Sequence, residues 1–195
     1  MSRPPAAGTS IKGTSLLGIL KAIERAYGEA GLRATLDAAP AEIRDAYRYG
    51  QIVSVGWYPT RWYCDVHRAA RRAFGEGRSL PWRLSHDAVT RDFRGIFQVV
   101  VRLLSPEMAL RQAPRLLLLY CKGGTVEAVE ARRGYGRLRF EGWPDYDENL
   151  WSDLQGGVVA LLEVCGAKNV ITRVLAGGGD HDHLDVEARW GEGAP

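Results

Sequence analysis

The chain has 195 residues, 46% hydrophobic and 25% charged, enough apolar matter for the core of one domain. A net charge of +3 and a pI of about 8.8 fall short of the clustered basic surface that nucleic acid calls for, so no nucleic-acid partner is expected. No run approaches the roughly 18 apolar residues of a spanning helix, no signal-type apolar stretch opens the chain, and Cys64, Cys121 and Cys165 form no CxxC pair; a cytoplasmic chain with reduced thiols, no transmembrane segment and no metal site is expected.

Residues 1–10, with Pro4, Pro5 and Gly8, show no apolar periodicity and read as a disordered lead-in, as residues 191–195 read as a tail. One α+β domain is expected over 11–190, helical over 11–122 and built of sheet and helix over 124–190. Leu16, Leu20, Ile23 and Tyr27 recur at helical spacing after Thr14, and two shorter helices follow around Pro40, the second stopping at Gly50. Tyr58 to Phe74 carries Trp62, Val66, Ala69 and Ala73 on one stripe, with Pro59 near the start, where a missing N–H costs little. Ile96 to Leu104 is apolar on all sides, Phe97 included, and reads as a helix buried among other elements. Ser105-Pro106-Glu107 then supplies a cap, a proline at the first helical position and an acid in the first turn.

At Gly123-Gly124 the period changes from helical to alternating. Tyr135, Arg137, Arg139 and Glu141 face away from Leu138 and Phe140, and Leu184, Val186, Ala188 and Trp190 oppose Asp185, Glu187 and Arg189. Two antiparallel hairpins follow, 125–131 to Tyr135 through Arg132-Arg133-Gly134 and 169–176 to Leu184 through a glycine run. Between them a helix of about Glu148 to Cys165 puts Leu150, Leu154, Val158, Leu161 and Cys165 on a stripe suited to cross four antiparallel strands. Inside it, Gly156-Gly157 costs ~1 kcal/mol per glycine relative to alanine. Close packing on the sheet, or close approach of a ligand or second chain, would compensate.

Gly56-Trp57-Tyr58-Pro59, Arg94-Gly95, Leu104-Ser105-Pro106-Glu107, Leu117 to Gly124, and Gly166-Ala167-Lys168-Asn169-Val170 together resemble an uncharacterised myxobacterial protein family over Ile11 to Trp190. That family resembles the ligand-binding fold shared by haem nitric-oxide/oxygen-binding domains, 4-vinyl-reductase-type domains and TRAPP tethering subunits. The resemblance implies helices packed on a four-stranded antiparallel sheet crossed by one helix, and a pocket or assembly module rather than an enzyme. The Tyr-x-Ser-x-Arg haem clamp of the first group corresponds here to Tyr135-Gly136-Arg137-Leu138-Arg139, with arginine in the serine position, and the cysteine cluster of the second has no counterpart.

Three functions stay open. The leading one is a non-enzymatic ligand-sensing or protein-interaction module, a homo-oligomer or a binder of a small hydrophobic ligand or a protein partner, with Trp57, Tyr58, Trp62, Phe97, Gly156 and Gly157 lining an apolar pocket or a dimerisation face. The second is a haem-based gas sensor with His67, or less readily His86, as axial ligand. The third is a hydrolase pairing Cys64 with His67, three apart on one helix. Arg68, Arg71 and Arg72 on that helix, and Arg137 and Arg139 on the sheet, read as solvated faces, and His181-Asp182-His183 as a solvated hairpin tip.

Overall fold

A computed structural model describes residues 8–94 and 104–192; residues 95–103, and with them Phe97 and most of the expected apolar helix, lie outside the described residues. In chain order the elements are β1 (Ser10–Lys12), α1 (Gly13–Ala38), α2 (Ala41–Arg48), β2 (Trp57–Pro59), α3 (Thr60–Phe74), α4 (Ser79–Arg94), α5 (Pro106–Leu117), β3 (Cys121–Lys122), β4 (Thr125–Arg132), β5 (Tyr135–Glu141), α6 (Glu148–Val164), β6 (Ala167–Gly177) and β7 (Leu184–Glu192). None of the described helices is long and apolar enough to cross a membrane.

The period-2 segments form the expected four-stranded sheet, in the order β4-β5-β7-β6 with every neighbour antiparallel. Gly134 closes the first hairpin at φ 74°, and Gly177, Gly178 and Gly179 all take positive φ in the second, conformations that side chains resist. Leu138, Phe140, Leu184, Val186, Ala188 and Trp190 fill the inner face. The outer face departs from the solvated one expected. Asp185 and Glu187 on the central strand β7 are only 8% and 6% exposed. Arg137 grips Asp185 through two bonds of 2.7 and 2.6 Å, with Arg139 at 3.4 Å, and Arg173 and Arg189 close over Glu187 at 3.0 and 3.3 Å. Arg139 stands directly opposite Asp185 and Arg173 opposite Glu187, so the ladder register makes these pairs.

A second sheet, β2-β1-β3, joins the two halves of the chain. The helical half follows the sequence reading through α1, which breaks at Gly28 (φ 72°), and through α2. The buried face of α3 is rotated from the expected stripe: Tyr63, Val66, His67 and Ala70 point inward, Trp62 is half-buried and Ala73 is exposed. Its arginines are not a free basic face. Arg68 spans Asp65 and Asp147 at 2.7 and 2.8 Å, Arg71 reaches Glu148 and Asn149 at 2.6 and 2.7 Å, and Arg72 donates to the Ala38 carbonyl, so α3 is tied to the start of α6.

Helix α4 was anticipated from sequence only as a helix start just before His86, without bounds, and it begins earlier, at Ser79. It lies against α6, and this contact accounts for Gly156. A Cβ there would overlap the Trp82 carbonyl oxygen and stand 2.9 Å from the Trp82 carbonyl carbon. The close approach expected for the glycine pair is therefore real at Gly156, but the partner is a helix backbone, not the sheet.

Candidate functional site

Helix α6 carries Leu150, Asp153, Leu154 and Gly157 at i, i+3, i+4 and i+7, which puts them on one face. That face, together with Phe140 and Leu138 of β5, forms one side of a cavity of about 220 Å³. The opposite side comes from the helical half: Ser15 and Gly18 of α1, Ala88 and Val89 of α4, and Leu116 and Leu117 of α5. Gly157 borders the space directly, and a Cβ there would meet only the Ser85 Oγ at 3.3 Å and the Val89 Cγ2 at 3.5 Å.

The described wall is mostly apolar, with Thr14, Ser15, Ser85 and Asp92 on the helical side and a polar cluster contributed by α3, α6 and the segments beside them. Tyr63 donates its hydroxyl to Asp153 Oδ1 at 3.1 Å, and His67 Nε2 lies 3.1 Å from the same oxygen. His67 has no solvent exposure, and its Nδ1 has no hydrogen-bond partner. Cys121 and Tyr146 complete the polar lining at this end. Burial pushes the Cys121 thiol up to about 11, and burial, followed by the charge of Asp153, lifts the Tyr63 hydroxyl well above its usual range. The Tyr146 hydroxyl is raised in the same way, by burial and then by Cys121. The cluster's hydroxyls and thiol therefore stay protonated at neutral pH.

The residues singled out from sequence are distributed unevenly about this cavity. Gly157 lines it, Gly156 forms the α4 contact beside it, and Trp57, Tyr58 and Trp62 lie elsewhere. Tyr58 stacks on Trp62 at 5.5 Å and donates to the Gln51 carbonyl at 2.8 Å, and Trp62 donates to Glu42 at 3.0 Å. Trp57, 37% exposed, receives the Lys122 ammonium at 3.9 Å from its ring centre. This trio anchors the approach to α3 rather than the pocket. Cys64 and His67 are not paired: the thiol donates to the Asp145 carbonyl at 3.4 Å, while His67 turns to Asp153. Burial and the nearby Asp147 also push the Cys64 thiol far up, the reverse of what a nucleophile needs. His86 stacks on Trp82 and bonds Glu163 at 2.7 Å, and His181 contacts the Gly178 carbonyl. Among the described residues no group of three or more His, Cys, Asp or Glu side chains is arranged to hold a metal ion.

Asp153 and Tyr146 escaped the sequence reading, and Cys121 was expected only as a reduced thiol. Asp153 had a visible signal, an acid set on the same stripe as Leu150, Leu154 and Gly157.

Fold and site together define an α+β module in which a helical layer and a helix-crossed antiparallel sheet enclose an apolar cavity. No protein-family model and no curated protein matches the chain. Solved structures do share the fold. An Fe(II) unliganded H-NOX protein from K. algicida aligns with a TM-score of 0.71 at 11% identity, over 95% of this chain and 99% of that one. An H-NOX protein from S. oneidensis in the Fe(II) ligation state, a triple mutant, gives 0.70 at 11% identity over 94% and 98%. An oxygen-binding H-NOX domain related to soluble guanylate cyclases gives 0.64 at 10% identity over 94% and 96%. The chain thus has the fold of the haem nitric-oxide/oxygen-binding domains, one of the three groups in the resemblance drawn from its sequence.

Haem is the group this fold brings into question. All four histidines of the sequence are among the described residues, and none lines the cavity. The carboxylates of the described lining are Asp92 and Asp153, and no lysine or arginine lies in that described lining to pair with propionates. These residues do not fit a histidine-ligated haem in this cavity.

Proposed function

We propose that the chain is a non-enzymatic ligand-sensing module whose guest occupies the cavity between the helical layer and the sheet. The cavity itself carries this reading. Apolar side chains make up most of its lining, and a guest that displaces water from them gains the free energy of apolar burial. A guest there touches α1, α4 and α5 on one side and β5 and α6 on the other, so its presence biases how the two layers sit together. Toluene is expected to raise the melting temperature saturably. Gly157→Leu, which directs a side chain into the space, is expected to abolish that rise. A wild-type protein indifferent to toluene would sink the proposal.

The haem-based gas sensor is the second reading, and the likeness to Fe(II) haem domains favours it. It requires a saturable Soret band when haemin is added to the apo protein, altered by replacing His67 and His86. A Soret band indifferent to both replacements would exclude histidine ligation, in agreement with the placement of these side chains outside the cavity.

A further inference from the structure

We infer that the cavity selects a small apolar amine, whose ammonium pairs with the Asp153 carboxylate. This rests on the cavity reading above and names the class of ligand.

The first observation is a missing partner. The buried acids of this chain are closed over by arginine: Asp147 by Arg68, Asp185 by Arg137 and Arg139, Glu187 by Arg173 and Arg189. Asp153 is comparably enclosed, with 15% of its side chain exposed, yet among the described residues its only ion-pair neighbour is His67. Taking a carboxylate out of water is costly unless it is paired and its lone pairs are satisfied. Tyr63 and His67 both bond Oδ1, fixing the carboxylate from the α3 side, and no described residue bonds Oδ2. Asp153 lines the cavity, so a guest can supply the countercharge.

The second observation is the sign of the lining. Among the described residues its charged members are Asp92 and Asp153, and the hydroxyls of Tyr63 and Tyr146 and the Cys121 thiol remain neutral donors. Asp92 is exposed to solvent, so Asp153 is the enclosed acid of the lining. An anionic guest would meet two carboxylates with no lysine or arginine of the described lining to receive it. A cation meets a fixed acceptor inside an apolar shell. The third observation is size. An apolar cavity of about 150 Å³ accommodates benzene, so 220 Å³ holds a single ring with a one-carbon arm.

Isothermal titration calorimetry at neutral pH with benzylamine, benzyl alcohol, toluene and benzoate tests this, because the four differ mainly in the head group. Benzylamine is expected to bind about tenfold or more tighter than toluene, the scale of one charge-assisted hydrogen bond, with benzoate weakest. Asp153→Asn is expected to erase the benzylamine preference and keep toluene binding, and Asp153→Glu to restore part of the preference. Benzoate binding as tightly as benzylamine, or an Asp153→Asn protein that keeps the preference, overturns the inference. If Asp153→Asn does not fold, the wild-type ranking decides. Toluene binding without an amine preference overturns the amine assignment alone, whereas a wild type that binds none of the four overturns the cavity reading with it.

Discussion

Gly156→Val is expected to destabilise the protein by about 3 kcal/mol, the upper range of overpacking, whereas Gly157→Ala, one residue on, changes stability by less than about 1 kcal/mol and in the favourable direction. The two glycines share a helix and an intrinsic cost, so the difference lies in what each faces. A Cβ at position 156 runs into the Trp82 carbonyl, a backbone group that cannot swing aside without moving α4. A Cβ at position 157 meets a serine hydroxyl at 3.3 Å and a valine methyl at 3.5 Å beside empty space, and it gains the helix propensity of alanine. Urea midpoints of the two variants measure the contrast. Equal losses at both positions would show that α4 does not seat on α6 through Gly156.

That contrast marks the boundary of what could be read from the chain. The strands of the large sheet and their turns were legible because β5 and β7 alternate cleanly and because Gly134 and Gly177 to Gly179 sit where positive φ is required. The glycine pair was legible as a close approach, but a helix stripe does not reveal which layer lies on its other side. The small sheet was illegible because its strands have three, three and two residues, too few to show a period. Helix α4 was illegible in its bounds for another reason. Its inward positions Leu80, Leu84 and Ala88 form a thin stripe among Trp82, Arg83 and Arg91, with Pro81 in the first turn. At the site, Asp153 could have been picked out as an acid on an apolar stripe, but its partners Tyr63 and His67 lie 90 and 86 residues away, a pairing set only by the packing of α3 on α6. The outer-face arginines Arg137 and Arg139 keep about a third of their side chains exposed, but their pairing with Asp185 was illegible because side-chain alternation gives direction, not neighbours, and that partner is on β7.

Asp147→Ala is expected to cost about 3 kcal/mol and to flatten the acid limb of the stability curve. Asp147 caps α6: Oδ1 accepts the N–H groups of Asn149 and Leu150 at 3.0 and 3.1 Å, and Oδ2 accepts Asn149 Nδ2 at 2.9 Å and the Arg68 guanidinium at 3.1 and 2.8 Å. Losing the cap costs about 1 kcal/mol, and orphaning the buried Asn149 amide costs a further 1–3 kcal/mol, roughly. Arg68, 46% exposed and still held by Asp65, adds little. The pH dependence follows from the carboxyl's environment. Burial alone would raise it, but the Asn149 amide, the Leu150 N–H and Arg68 outweigh that and hold it below the ordinary aspartate value. A lowered folded-state value means that the unfolded chain binds the proton more readily, so the contribution is complete above about pH 4 and is lost as pH falls through the folded value. Asp185, lowered first by its hydrogen bonds from Arg137, contributes with the same sign and in the same window. Urea midpoints followed from neutral pH down to about pH 2 should therefore draw closer for wild type and Asp147→Ala as the wild-type carboxyl takes up its proton, leaving the part of the gap that the orphaned Asn149 amide accounts for. A gap that stays constant to the acid limit would show that the charge on Asp147 contributes nothing to holding α6 against α3.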